Sequence, residues 1–355
     1  MITIDALVVG GGPAGICAAS TLAEKGLEVW LVDESDQLGG QLIKQTHKFF
    51  GSKEHYAGLR GIDIPDKIDL EQVKVLLNTS VIGCYEDGVF TLLLDDKVYL
   101  KVKPKGTVIA TGAQERFLPF EGNDLPGVYG AGAVQTLMNK EGILPGKKVL
   151  MIGAGNIGLI VSYQLMQAGV DVVAVIEGND SIGGYWVHSA KIARAAVPIY
   201  TNHTIIKAVG DSEVEGAVIA RLNNKWEVEP STEFNVEVDT ICLSVGLTPI
   251  NDLLWQRGCE MQYIKELGGY VPLRNRHLQT TINNIYVAGD VTGVEEASCA
   301  MVEGKVAGLA LSMDITNRDL NKELNLVLQS LRWLRKGEVA KNVRKGLDRI
   351  GVVEC

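Results

Sequence analysis

The six cysteines of this chain, Cys17, Cys84, Cys242, Cys259, Cys299 and Cys355, include no CxxC pair. That spacing argues against a zinc site, an iron–sulfur site or a disulfide scaffold, and it fits a reducing cytoplasm. No stretch approaches the roughly 20 consecutive apolar residues of a membrane helix, so no membrane span is expected. Asp5 stands where a secretion signal needs a basic and then an apolar region, so no export signal is expected either. Basic charge is short: 34 Lys and Arg face 43 Asp and Glu, for a net charge of −9. Nucleic acid, which needs a clustered basic surface, is therefore not an expected partner. Histidine is scarce too, and His47 and His55 have no partner fixed by spacing, so neither is assigned a catalytic role.

Glycine, by contrast, is plentiful at 40 residues of 355, in a chain long enough for two domains of about 150 residues each. "IDALVV" at residues 4–9 has the apolar, β-branched character of a buried parallel strand, and Gly10, Gly12 and Gly15 follow at once. A helical stretch comes next, stopped by Gly26, and then "EVWLVD", a second strand ending at Asp33. This β-turn-α-β pattern suits a dinucleotide. Gly10 permits the tight turn, Gly12 lets the backbone approach a pyrophosphate, Gly15 lets helix pack on strand, and Asp33 meets ribose hydroxyls. The helix N-terminus then attracts phosphate.

The same unit recurs in "KKVLMIGAGNIGLIVSYQLMQAGVDVVAVIEG", residues 147–178, with Gly153, Gly155 and Gly158 in the turn and Glu177 at the second strand's tip. Glu177 would repel a 2′-phosphate and "GNDSIGG" offers no arginine to receive one, so NAD(H) is expected over NADP(H), unless Lys191 or Arg194 folds back.

With "TVIATGA" at 107–113 and "NIYVAGDVTG" at 284–293, these motifs resemble the two-dinucleotide-binding-domain flavoproteins, the thioredoxin-reductase and glutathione-reductase group, across nearly the whole chain. The resemblance implies an α/β fold of two Rossmann-like, three-layer ββα domains, with FAD at the first turn and Asp290 bonded to the ribityl chain. The stretch "ATGAQERFLPFEGNDLPGVYGAGAVQTLM" at 110–138 resembles more narrowly the flavoprotein subunits of opine oxidase, hydrogen cyanide synthase, dye-linked proline dehydrogenase and heteromeric sarcosine oxidase, as does "LSVGLTPINDLLWQRGC" at 243–259. Carried onto this chain, the FAD site comprises Gly10, Gly12, Pro13, Ala14, Gly15, Asp33, Glu34, Gly40, Gln41, Val81, Ala110, Thr111, Gly112, Gly289, Asp290 and Ala297, and the NAD site comprises Gly153, Gly155, Asn156, Ile157, Gly158 and Glu177. The redox cysteines of the dithiol reductases have no counterpart in "LGGQLIKQTHKFF" or "SIGGYWVHSAKIA", which disfavours a disulfide reductase.

Along the chain, a split FAD domain is expected at 1–115 and 246–355, with an NAD domain inserted at 116–245 and joints at "LPGVYGAG" and "SVGLTP". Residues 79–103 read as hairpin strands turning at Asp87-Gly88 and Asp95-Asp96. Residues 44–64, rich in Lys, His, Phe and Tyr, either line the flavin edge or an exit route for electrons, or form a solvated loop. The C-terminal helical stretch, with Leu324, Leu328, Leu331 and Trp333 apolar and Arg332, Arg335, Lys336, Arg344 and Lys345 basic, either docks a partner or packs on its own domain with a solvated basic face.

Two glycine turns make sense where nicotinamide and flavin exchange a hydride. The leading expectation is an FAD-containing, NAD(H)-binding member of a heteromeric amine or amino-acid dehydrogenase. It would work with a second flavoprotein subunit, and an iron–sulfur subunit would supply that centre where one is needed. A free-standing NADH:acceptor reductase and a non-catalytic scaffold holding an adenine nucleotide stay open beside it.

Overall fold

In the computed structural model, which describes residues 1–49, 56–337 and 340–350, the first apolar run forms β1 (Ile2–Val9) and leads through the glycine turn into α1 (Pro13–Glu24). His55 and Cys355 lie outside the described residues. Pro13 opens the helix, where its missing N–H has no intrahelical partner to lose. Gly26, just past the end, takes φ +82°, which glycine adopts without steric cost.

Strands β2 (Val29–Val32), β3 (Val73–Leu76), β4 (Thr79–Cys84), β5 (Phe90–Leu94) and β6 (Val98–Ile109) complete the first stretch, in spatial order β3-β2-β1-β6-β5-β4. The first four strands of that order run parallel, and β4 and β5 add an antiparallel edge. The expected hairpins form, but the third hairpin strand and the strand before "ATG" are one continuous element, β6. Asp95 and Asp96 make its tight turn at φ +49° and +53°.

After β7 (Ala113–Glu115) come β8 (Val128–Gly130), α2 (Ala131–Asn139), β9 (Lys148–Ile152), α3 (Asn156–Gln167), β10 (Asp171–Glu177), α4 (Trp186–Arg194) and β11 (Ile199–Thr201). An antiparallel ribbon follows, β12 (His203–Val209), β13 (Gly216–Arg221) and β14 (Phe234–Val236), and then β15 (Thr240–Leu243) and β16 (Leu247–Pro249). A parallel sheet runs β11-β10-β9-β15-β8. The chain divides into two compact units, one of Met1–Gln114 with Thr248–Cys355 and one of Glu115–Leu247. The segment "LPGVYGAG" is not a joint: its β8 is the edge strand of the second unit's sheet, paired with β15.

The returning chain adds α5 (Asp252–Arg257), the hairpin β17 (Met261–Ile264) and β18 (Gly269–Pro272), β19 (Ile285–Val287), α6 (Ala297–Thr316), α7 (Asn321–Leu334) and α8 (Lys341–Leu347). β19 pairs in parallel with residues 107–109 of β6, beyond the point where β5 leaves that edge. Side chains alternate across β1, so Ala6 and Val8 pack with Ile16, Leu22, Val306 and Leu311 of α1 and α6, while Leu7 and Val9 pack with Trp30, Phe90 and Leu254.

Leu324, Leu328 and Leu331 of α7 are buried against their own unit, which decides for packing on this apolar stripe. Two expectations for this stretch are reversed. Trp333, read as apolar face, is 52% exposed, and Arg335, read as solvated, turns inward. The helical period accounts for both: Arg335 follows Leu331 by four residues and Leu328 by seven and so continues the buried stripe, whereas Trp333, two residues past Leu331, lies on the opposite face.

α6 crosses α1 through glycine. A Cβ on Gly304 would lie 2.1 Å from the Ala14 carbonyl oxygen, and one on Gly308 would lie 3.0 Å from that of Ala18. Gly304→Ala should therefore cost about 1–3 kcal/mol in urea unfolding, the usual penalty for overpacking. Gly337→Ala, whose Cβ meets nothing within 4 Å, should stay within about 0.5 kcal/mol of the parent.

Candidate functional site

The two glycine turns adopt the same construction in the two units. Gly10 takes φ +100°, and a Cβ there would lie 2.3 Å from the Ala110 carbonyl oxygen. Gly153 takes φ +110°, with the Ser244 carbonyl oxygen at 2.1 Å. A Cβ on Gly15 would strike the Gly10 carbonyl oxygen at 1.7 Å, and one on Gly158 that of Gly153 at 2.1 Å. These four glycines are needed for the fold. Gly12 and Gly155 differ: their φ values are −74° and −72°, and no atom lies within 4 Å of a Cβ built on either. Any residue could adopt that backbone, so glycine there leaves open space at the helix N-terminus, where N–H groups and the helix dipole favour an anion.

Each strand-tip acid closes its own turn. One Asp33 carboxylate oxygen accepts the Gly11 N–H and the other accepts the Ser35 N–H at 2.8 Å. Glu177 Oε2 accepts the Ala154 N–H at 2.9 Å, and its Oε1 accepts the Asn179 N–H at 2.9 Å and the Asn179 Nδ2 at 2.7 Å. Carboxylate oxygens take more than one donor, so ribose hydroxyls can still be received.

A third stretch seals each turn. The Gly39 N–H donates to the Gly11 carbonyl at 2.8 Å, and a Cβ on Gly40 would come 2.9 Å from the Gly12 Cα. In the second unit the Gly183 and Gly184 N–H groups both donate to the Ala154 carbonyl, and Asn156 Oδ1 accepts the Tyr185 N–H at 2.7 Å. The paired "LGG" and "IGG", each at the same distance past its acid, were a legible repeat that the glycine-turn motif alone does not contain.

Ala110, Thr111 and Gly112 wrap the end of β6: the Ala110 N–H donates to the Val9 carbonyl at 2.8 Å, Thr111 Oγ1 donates to the Ile250 carbonyl at 2.8 Å, and Gly112 sits at φ +73°. Ser244 repeats the role of Ala110, donating its N–H to the Ile152 carbonyl at 2.7 Å. Among the other expected residues, Glu34 and Gln41 are exposed, Val81 is half-buried in β4, Ala14 is buried in α1, and Ile157 is 39% exposed on the first turn of α3. The Lys191 ammonium lies 4.8 Å over the Tyr163 ring, on the face of α3 and not at Glu177.

Gly289 takes φ +80°, and a Cβ there would lie 2.9 Å from that of Ala14, so β19 delivers Asp290 against the start of α1. Beneath it is a buried ionic cluster that the sequence did not reveal. Glu303 Oε2 accepts the Gly289 N–H and the Thr292 hydroxyl, each at 2.9 Å, while Oε1 meets Arg335 at 2.7 Å and Arg274 at 3.7 Å. Arg335 also binds Glu295 at 2.6 Å. Burial would raise the Glu303 carboxyl, but Arg335 and Arg274 outweigh it and hold the group below the usual carboxylate range. Ala297 opens α6 just after Glu295 and Glu296.

The five described cysteines are buried and unpaired. Burial pushes Cys17 and Cys84 up to about 12, so these thiols stay protonated and unreactive. No cluster suited to a metal ion occurs among the described residues.

Residues 4–304 match the pyridine nucleotide-disulphide oxidoreductase family. The chain belongs to that family. It is accordingly an FAD/NAD-dependent oxidoreductase, whose family binds flavin and nicotinamide nucleotide. It is 28% identical over 332 residues to one subunit of opine oxidase from Rhizobium meliloti, covering 86% of this chain and 70% of that one. It is 26% identical to the HcnB subunit of hydrogen cyanide synthase from Pseudomonas aeruginosa, covering 97% and 77%. Against the alpha subunit of sarcosine oxidase from R. meliloti it is 28% identical over 88% of this chain but only 30% of that longer one. Among solved structures, L-proline dehydrogenase of P. horikoshii superposes with a TM-score of 0.72 at 24% identity, over 93% of this chain and 59% of that one. Thioredoxin reductase of T. acidophilum superposes with 0.73 at 23% identity, over 88% and 99%. The fold is therefore of the thioredoxin-reductase kind. No described helix is long and apolar enough to cross a membrane.

Asp290 carries a measurable consequence. Burial pushes its carboxyl up to about 6, the Glu295 N–H pulls it back in part, and the charges of Glu303 and Glu295 raise it further. A folded pKa above the unfolded one makes the ionised form costly to the folded state, so that cost grows as pH rises from 4 through 6. Asp290→Asn should be more stable than the parent at pH 7 in urea unfolding without added nucleotide, and the difference should vanish by about pH 4. An equal difference at both pH values would contradict the burial of this charge.

Proposed function

We propose that the first unit holds FAD at the Gly10–Gly15 turn and that the second holds NAD(H), in preference to NADP(H), at the Gly153–Gly158 turn. The observation that carries this reading is the matched openness at Gly12 and Gly155, the two glycines of the paired turns required by neither backbone conformation nor packing. Gly12, Pro13, Ala14 and Gly15 would face the FAD pyrophosphate, Asp33 and Glu34 its adenosine ribose, and Gly40, Gln41, Val81, Ala110, Thr111 and Gly112 the rest of its bed. Asp290 would bond the ribityl chain, with Gly289 and Ala297 beside it. Gly155, Asn156, Ile157 and Gly158 would face the nicotinamide nucleotide's pyrophosphate, and Glu177 its ribose. Glu177 is 8% exposed and anchored by three donors, so a 2′-phosphate would meet a fixed negative charge. Bound in these places, the two nucleotides supply the hydride chemistry, and the protein supplies position, electrostatics and exclusion of water.

In this reading the chain is the electron-transferring subunit of a heteromeric amine or amino-acid dehydrogenase of the proline, sarcosine or opine type, and its partner is a second flavoprotein subunit, joined by an iron–sulfur subunit where that centre is needed. Its support is the set of relatives named as oxidase and synthase subunits. The buried, protonated thiols also favour it over dithiol chemistry. A cytoplasmic location belongs to the same reading.

The glycines test it. Gly12→Ala and Gly155→Ala should fold with the parent's thermal stability, the first losing most of its FAD and the second binding NADH at least tenfold more weakly by calorimetry. Gly15→Ala and Gly158→Ala should fail at folding instead. Full nucleotide binding by both Gly12→Ala and Gly155→Ala would overturn the assignment.

A further inference from the structure

Gly178, the residue after Glu177, is a glycine that its backbone does not require, since its φ is not in the left-handed region. Space requires it. A Cβ there would lie 2.8 Å from Cζ3 and 3.0 Å from Cη2 of the Trp226 indole, which rests against this position. Trp226 is 63% exposed and sits at φ +64°, a strained conformation for a bulky residue that persists only where its surroundings impose it.

The surroundings do impose it. In the turn after β13, the Asn223 N–H donates to the Glu227 carbonyl at 2.9 Å, the Asn223 carbonyl accepts the Trp226 N–H at 3.0 Å, and its Oδ1 accepts the N–H groups of Lys225 at 2.8 Å and Glu227 at 3.1 Å. The turn is tied to the strand tip as well. The Leu222 N–H donates to the Asn202 carbonyl at 2.6 Å, the Asn202 N–H donates to the Asn179 carbonyl at 2.9 Å, and Asn179 in turn holds Glu177. An aromatic ring with most of its surface in solvent is thus fixed, against its backbone preference, beside the acid that faces the ribose.

We propose that Trp226 is the adenine platform of the second nucleotide site, stacking its indole on the adenine of a dinucleotide whose ribose Glu177 receives, with Gly178 leaving room for the ring. This rests on the second-site reading above. Stacking of a base on an aromatic side chain is sizeable in effect, and every base offers a π-face to it. The platform recognises the adenosine half and should not distinguish oxidised from reduced nicotinamide.

The test is direct binding to the full chain, with ADP-ribose as an adenine-bearing probe and nicotinamide mononucleotide as one without adenine. Trp226→Ala should weaken ADP-ribose on the order of tenfold or more and leave nicotinamide mononucleotide unchanged. Trp226→Phe should recover most of the affinity while losing the tryptophan quenching that ADP-ribose causes in the parent. Gly178→Ala, which leaves Trp226 in the chain but displaces its ring, should weaken ADP-ribose as well. Parent-like affinity in Trp226→Ala, with the parent binding ADP-ribose, would overturn the platform and spare the site. Failure of the parent to bind ADP-ribose at all would overturn both.

Discussion

Where β1 hands over to α1, and β9 to α3, strand and helix meet backbone against backbone with no side chain between them. The Gly10 carbonyl lies where a Gly15 side chain would be, and the Gly153 carbonyl where one on Gly158 would be. That contact fixes the direction of each helix relative to its sheet, and so aims the helix N-terminus at the open space beside Gly12 or Gly155. The strand-tip acid and the following double glycine bond to the same turn in both units, and the crossing strand's N–H bonds to the last residue before it. A turn built this way owes its geometry to main-chain atoms, so it is stiff before anything binds.

The first unit adds a second constraint. Glu303 holds the Gly289 turn from below, and Arg335, from the end of α7, makes that burial tolerable. A buried carboxylate costs several kcal/mol unless it is paired and hydrogen-bonded, and Glu303 is both. The chain beyond α6 is thus coupled to the turn that presents Asp290, although it carries no nucleotide motif of its own. An uncompensated charge there would act directly on Asp290, whose carboxyl already feels Glu303 and Glu295.

Much of this was legible because a motif whose glycines have separate steric duties leaves a spacing that can be read without coordinates. The two turns, their acids, the hairpin turns at Asp87 and Asp95, and the helical C-terminal stretch follow from local pattern. Ser244 could not be identified, since its duty is performed by a carbonyl that every residue has. Glu303 was hidden inside an apolar helix, where one acid looks like a solvent-facing position, and Arg335 looked like one of several surface cations. Their partners lie 32 residues apart in the chain, a separation no periodicity encodes. Trp226 was invisible for the same reason: its meaning lies in its contact with Gly178, across an intervening ribbon.

The central claim is that the first turn carries a flavin which the nucleotide of the second reduces, and the absorption spectrum of the purified chain under anaerobic titration tests it most directly. The account predicts a yellow protein bleached by NADH and far less readily by NADPH. A colourless protein, or a flavin untouched by either nucleotide, would contradict it.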